Sequence, residues 1–484
     1  MTPMRTLLIM MASMRFLVLS IGLLCLLSCM NPKQESRTEN PPLSKILKDY
    51  VDKPDDSFRY ELRDSITGDG WVQYNVWMVS GNWLTEKEVE ETEWWHWLTV
   101  VKPDERVESE ALMFIGGGSS NDSIPDANEA LIGAALKTKS IMASISNIPF
   151  QPIDFVGDEK EGRYEDDLIA YGWRRFLENG AKDSDAKWLA RLPMTRAVVR
   201  AMDVVQAMNE NSPLAVDSFV VAGASKRGWT TWTTGVVDDR VMAIAPVVID
   251  LLNVVPSFNH HWRCYGEWSP AINDYINEGI MSWMGSKEYD RLLQLVEPYS
   301  HIEELDLPKF MINASGDEFF VTDSWQFYWD DLEGEKYIQY IPNTNHGLNG
   351  SYNLGSLLAF YNAIITESDI PSFYWDVTGN KISVRMDPNV DYDIRYWEAE
   401  NDSQRDFRLA VIGDSWKLND TNEAGEGEYS FEVKIPESGY KAGVVEIIIN
   451  PDSELPFTFT TGTVVVPGTY PFEEFVPEAP MGTR

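Results

Sequence analysis

Between Ala111 and Gly347 short apolar runs alternate with helix-like stretches, and this alternation restricts the fold more than any other feature of the chain. "ALMFIGGG" precedes the helix-like "DANEALIGAALKT", and "IMASISNIP" follows. "MTRAVVRAMDVVQAMNE" then sets Val198, Met202, Val205 and Met208 on one helical face ahead of "SFVVAGAS". "RVMAIAPVVID", "PKFMINASGDEFF" and "KYIQYIPNTNHG" read as three more strands, each running into polar loop residues. Strands this apolar are buried on both faces, so the pattern predicts a mostly parallel α/β sheet with helices on both sides.

The flanks differ. "FRYELRDSI" and "WVQYNVWMVSGNWL" surround "TGDG", and "WWHWLTVVKPD" follows an acidic loop; their aromatic and β-branched content predicts an antiparallel start to the sheet. Residues 251–301 are aromatic and irregular and read as a cap inserted over the carboxyl ends of the strands. Beyond residue 370 short alternating strands separated by turn residues predict an all-β, sandwich-like region over 371–484. A chain of 484 residues exceeds the roughly 250–300 at which one core stops growing, which fits a body over 43–370 followed by a second domain.

"MRFLVLSIGLLCLLSC", residues 14–29, couples a cation to an apolar run too short to span a bilayer comfortably. It resembles a bacterial lipoprotein signal, with Leu26, Leu27, Ser28 and Cys29 matching the lipobox. The resemblance implies a signal peptide over 1–28, lipidation of Cys29 and a place in the cell envelope. Residues 29–42 are polar and proline-marked, as a flexible tether would be. Cys25 leaves with the signal and Cys29 is acylated, so Cys264 has no disulfide partner. With 76 acidic and 40 basic side chains the net charge is −36, which repels phosphate backbones and argues against nucleic acid as a partner. The lipid anchor is the expected membrane contact, and the oligomeric state is left open.

The stretch "SFVVAGASKRGWTTW" runs a strand into Gly223, Ser225 and Gly228 before a helix rich in tryptophan and threonine. In the nucleophile elbow of an α/β-hydrolase, small residues let strand and helix approach while a serine hydroxyl stands clear. The spacing here is GxSxxG, with Arg227 where the usual second glycine stands. Upstream, Gly116, Gly117, Gly118 and Ser119 end another strand, where this fold draws one oxyanion-hole amide; the other would be that of Lys226. Downstream, Asp317 and His346 complete the chain order serine, acid, histidine. Of five histidines, His346 is the one in a polar, glycine-adjacent loop after a late strand. Asp250, closing the strand after the elbow helix, is the alternative acid. His260, His261 and Glu267 lack the spacing of a helical metal site, so neither a metal nor a cofactor is expected.

Taken together, "WWHWLTVVKP", "FIGGGSSN", "RRFL", "LPMTRAVVRAMD", "VAGASKRGWTTW", "PVVIDLLN", "YGEWSPAINDY", "DEFFVTDSWQFYWDDL" and "IPNTNHGL" resemble the PhoPQ-activated pathogenicity-related family, from about Leu43 to Ile370. The resemblance implies an α/β-hydrolase fold and a triad carried over onto Ser225, Asp317 and His346, with no defined natural substrate. The elbow with a cation after its serine is also similar to that of glucuronoyl and acetyl esterases. These features lead to a cell-envelope serine hydrolase acting on an ester, peptide or glycan substrate. The alternatives are a hydrolase-fold protein that binds or signals without turnover, and a polysaccharide-directed esterase.

Overall fold

Each apolar run becomes a strand because helices cover both of its faces. The computed structural model describes residues 43–350, 354–368, 370–371, 373–419 and 427–484; the signal segment 1–28, the tether 29–42 and Cys29 lie outside the described residues. A nine-stranded sheet comprises β1 (Arg59–Gly68), β2 (Trp71–Asn82), β3 (Glu93–Pro103), β4 (Ala111–Ile115), β5 (Ile141–Ile145), β6 (Phe219–Ala224), β7 (Val241–Val247), β8 (Lys309–Ala314) and β9 (Lys336–Ile341). Their order is β1-β2-β3-β5-β4-β6-β7-β8-β9. β1, β2, β3 and β5 pair antiparallel, and the pairs from β5 through β4 to β9 are parallel.

Neighbouring residues of the central strands point to opposite cores. Met113, Ile115 and Val221 join the helix Arg191–Asn209 and the elbow helix Lys226–Val237 on one face. Leu112, Val220 and Ala243 join Glu129–Thr138 and Leu354–Ile365 on the other. Val198, Met202 and Val205 are fully buried on the first face, with Met208 packed at its margin. The chain leaves β4 toward β5 and then returns to the opposite side at β6, so the order of connection reverses between β4 and β6. Open α/β sheets bind ligands outside the carboxyl ends of their strands at such a switch point.

Between β7 and β8 the chain forms helices Val254–Tyr265, Asn273–Asn277 and Lys287–Val296, joined by short 3-10 turns. After residue 370 come two antiparallel sheets. One contains β10 (Phe373–Thr378), β11 (Lys381–Met386) and β14 (Glu428–Glu432); the other contains β12 (Tyr392–Asn401), β13 (Lys417–Asn419), β15 (Tyr440–Ile449), β16 (Phe457–Thr460) and β17 (Val464–Val466). The change of sheet type near Ile370 does not divide two separate bodies, because Leu43–Arg484 is one compact unit. Phe407, Trp416 and Val444 enter the core on one face of the large sheet, and Phe457, Phe459 and Ile447 enter the other. Buried polar contacts add to this seam: the Tyr340 N–H donates to Thr460 Oγ1 at 2.9 Å, and the Arg405 guanidinium meets Asp323 at 2.6 Å.

Candidate active site

Five neighbouring strand ends carry the residues singled out by sequence. Gly116–Ser119 follow β4, Ser225 follows β6, Asp250 follows β7, Asp317 follows β8 and His346 follows β9. Ile115 pairs with Gly223, so the glycine loop and the elbow start from adjacent positions of the switch point.

Ser225 has φ 58° and ψ −125°, a backbone state that an L-residue adopts at a cost. Its N–H donates to Val247 O at 2.8 Å, and its carbonyl accepts the Trp229 N–H at 3.0 Å, which fixes strand, turn and helix together. The two glycines of GxSxxG explain themselves by distance. A Cβ on Gly223 would lie 2.8 Å from Arg227 O; one on Gly228 would lie 2.7 Å from Ile249 Cγ2 and 3.0 Å from Val247 O. Gly228 therefore does what the usual second glycine does, one residue later. The helix that follows tolerates its threonines because Thr230, Thr231 and Thr234 donate to the carbonyls of Lys226, Arg227 and Thr230 at 3.1, 3.0 and 2.7 Å.

Arg227 leaves the elbow sideways. Its Nε donates to Ile148 O and its Nη2 to Glu165 Oε1, both at 2.5 Å. A Cβ on Gly117 would stand 2.9 Å from that guanidinium, so the glycine admits the arginine. Lys226 is 7% exposed, and its ammonium lies 2.8 Å from Glu165 Oε2 and 2.9 Å from Asp166 Oδ2. Burial pushes the Glu165 carboxyl up, but the charges of Arg227 and Lys226 outweigh it and hold the group at about 2. Arg191 donates to Lys226 O at 2.7 Å and stacks over Trp229, 4.6 Å from the ring centre. These partners were not read from the sequence; the acid-rich "YEDDL" was the one local sign of them.

His346 Nδ1 lies 2.8 Å from Asp317 Oδ2 and 3.0 Å from Oδ1. Asp317 Oδ1 also accepts the Phe319 N–H at 2.8 Å, and the His346 N–H donates to Glu318 Oε2 at 2.8 Å. Phe319 packs on the imidazole with 4.3 Å between ring centres. Burial pulls the imidazole pKa down, but the charge and hydrogen bond of Asp317 outweigh it and leave it above its ordinary value. No hydrogen bond joins His346 to Ser225 Oγ; catalytic hydrogen bonds often tighten when substrate binds.

Among the described residues, the amides of Lys226, Gly117 and Gly118 donate to no protein group. That of Ser119 donates to Asp122 Oδ2 at 2.8 Å, so Ser119, grouped with Gly117 and Gly118 by sequence, has no amide free for an oxyanion. Asp250 is not placed against His346. Tyr328 and Tyr340 donate to its two oxygens at 2.5 and 2.6 Å, and burial raises its carboxyl to about 7. Three other histidines have partners elsewhere: His96 with Ser80, His260 with Asp323 and Tyr470, and His261 with the Ser269 N–H.

Comparison with known proteins gives a match over residues 47–408 to the family described as PhoPQ-activated pathogenicity-related protein. The chain is similar to autocrine proliferation repressor protein A of Dictyostelium discoideum, 35% identical over 458 residues, covering 89% of this chain and 92% of that protein. Among solved structures it is similar to acetyl xylan esterase 1 from Thermoanaerobacterium sp. JW/SL YS485, with a TM-score of 0.46 and 14% identity over 66% of this chain and 93% of that one. It is also similar to a glucuronoyl esterase from Solibacter usitatus, with a TM-score of 0.39 and 13% identity over 66% and 91%.

Proposed function

The chain belongs to the PhoPQ-activated pathogenicity-related protein family, and on that premise we propose that it is a serine hydrolase forming an acyl-enzyme on Ser225. The observation that carries this reading is the strained Ser225 backbone at a strand-to-helix turn, on the same sheet edge as a histidine already paired with a carboxylate. Ser225 Oγ attacks the carbonyl carbon of an ester or amide while His346 Nε2 takes its proton. Asp317 holds the imidazole with Nδ1–H toward its carboxylate and stabilises the imidazolium. The amides of Lys226, Gly117 and Gly118 receive the oxyanion. Collapse of the tetrahedral intermediate breaks the bond to the alcohol or amine, which leaves with the proton from His346. Water activated by the same base then releases the acid and restores Ser225.

The substrate in this reading is a small ester, a peptide or a glycan ester, and the net charge of −36 disfavours nucleic acid. The mature protein is held at the cell envelope through acylated Cys29; Cys29→Ser is expected to move it out of the membrane fraction. Labelling of the detergent-solubilised full-length protein with a fluorophosphonate tests the chemistry. An adduct mapped to Ser225 that disappears in His346→Ala supports an activated nucleophile, and a folded protein without adduct overturns the reading. One observation favours a second reading, a ligand-binding protein without turnover: Ser225 Oγ has no hydrogen bond to His346 here. Ligand binding that survives Ser225→Ala in a protein that never labels would decide for it.

A further inference from the structure

Ser225 and Lys226 form part of the wall of a cavity of about 40 Å³ between the large sheet and the segment inserted after β7. One water needs roughly 10–15 Å³ measured in this way, so the cavity holds a group of about three non-hydrogen atoms. Its walls are mostly apolar. Trp229, Ile249 and Phe319 come from the sheet side, and Ile280, Met281 and Tyr289 come from the inserted segment.

The polar groups in this wall are unevenly satisfied. Lys226, Asp166 and Tyr275 are joined in a closed network, with the Tyr275 hydroxyl donating to Asp166 at 3.0 Å. By contrast, Tyr289, Trp173 and Arg191 line the cavity, and among the described residues the Tyr289 hydroxyl, the Trp173 indole N–H and the Arg191 Nε–H are buried without a hydrogen-bond partner. Among the described residues Arg191 forms no salt bridge; its guanidinium lies against Trp229 in the same wall and within electrostatic reach of Tyr275 and Asp166. A buried donor left unpaired is unfavourable, and here three belong to residues lining one space that a guest with an acceptor oxygen can enter.

We propose that this cavity is the acyl-binding pocket, and that it selects a short acyl group of about three non-hydrogen atoms beyond the carbonyl, aliphatic in outline and carrying an acceptor oxygen that the Tyr289 hydroxyl meets. The proposal rests on Ser225 acting as the nucleophile. In this proposal the inserted segment, which contributes Ile280 and Met281 to the wall, sets the length limit. The acceptor preference belongs to the unpaired donors, because burial beside them favours a guest that can accept a hydrogen bond over one of equal size that cannot.

The test uses the detergent-solubilised full-length protein and four p-nitrophenyl esters: acetate, butyrate, methoxyacetate and octanoate. The expected kcat/KM for butyrate exceeds that for octanoate by about tenfold or more. Met281→Ala, which enlarges the pocket from the cap side, raises the octanoate-to-butyrate ratio. Methoxyacetyl and butyryl groups have the same number of non-hydrogen atoms, so their ratio reads the acceptor oxygen. Its intrinsic reactivity cancels when wild type is compared with Tyr289→Phe, in which the ratio falls about threefold to tenfold. Tyr289→Phe conserves volume, so it tests the pocket even where Met281→Ala fails to fold. Comparable turnover of butyrate and octanoate with a methoxyacetate ratio unmoved by Tyr289→Phe overturns the pocket while leaving the serine assignment intact. Absence of both turnover and a Ser225 adduct overturns the serine assignment, and the pocket proposal with it.

Discussion

Replacing Ser225 by glycine and by alanine separates backbone strain from chemistry. At φ 58° and ψ −125° any residue with a Cβ is strained, whereas glycine reaches this region freely. Strain of this kind costs about 1–3 kcal/mol. Glycine returns about 0.5–1 kcal/mol of that through the greater freedom of its unfolded chain. Loss of the hydroxyl costs little, because Ser225 Oγ has no partner, and it is common to both variants. Ser225→Gly is therefore expected to be more stable than Ser225→Ala by about 0.5–2 kcal/mol. In a unit of this size the unfolding entropy converts each kcal/mol into about 1 °C, so urea midpoints should be read beside melting temperatures. Both variants lose fluorophosphonate labelling. A glycine variant no more stable than the alanine variant would show that the elbow is relaxed, and would remove the physical reason for regarding this serine as held for chemistry.

Five other outcomes follow from the contacts described above. Because Asp317 holds His346 above its ordinary value, kcat/KM should rise with pH through a midpoint above about 6.5; in Asp317→Asn the opposing effect of burial remains, and a pH–rate profile should show the midpoint falling below that value as the rate drops. For the same reason the stabilisation from this pair is complete below about pH 6.5 and is lost as pH rises through the folded-state pKa, which denaturation of the wild type at successive pH values measures. Gly228→Ala would force a Cβ against Ile249 Cγ2 and backbone oxygens, with an expected loss of about 1–3 kcal/mol by urea titration. Asp250→Asn should be tolerated, whereas Asp250→Ala strands the Tyr328 and Tyr340 hydroxyls at about 1–3 kcal/mol each, measured the same way. Arg405→Ala removes the guanidinium from the buried Asp323 carboxylate at the seam with the C-terminal sheets and leaves it only its contacts with His260 and Gln326, with an expected cost of about 3–5 kcal/mol by the same titration.

The parallel sheet, the inserted segment and the order of the candidate residues were legible because each depends on local pattern. Apolar runs buried on both faces show continuous hydrophobicity, and Gly223, Ser225 and Gly228 announce a tight turn within six residues. What stayed hidden depends on residues far apart in the chain. Nothing near Asp250 signals that tyrosines 78 and 90 positions later will occupy both of its oxygens. The alternating strands after Ile370 look able to form a separate sandwich, yet their apolar faces are completed by the large sheet and its helices.

The departure from the usual elbow spacing is the instructive case. Taken alone, Arg227 at the expected glycine position weakens the motif, and the run Gly116–Gly118 is an ordinary flexible turn. Together they are one construction. The helix obtains its close approach to β7 from Gly228 instead, which frees position 227 to carry a long side chain. That side chain then ties the elbow to the loop after β5 through Ile148 O and to Glu165, and it fits because Gly117 has no Cβ. The arginine and the glycine therefore constrain each other across more than a hundred residues. A substitution at Gly117 acts on the position of Ser225 through Arg227, without touching the serine.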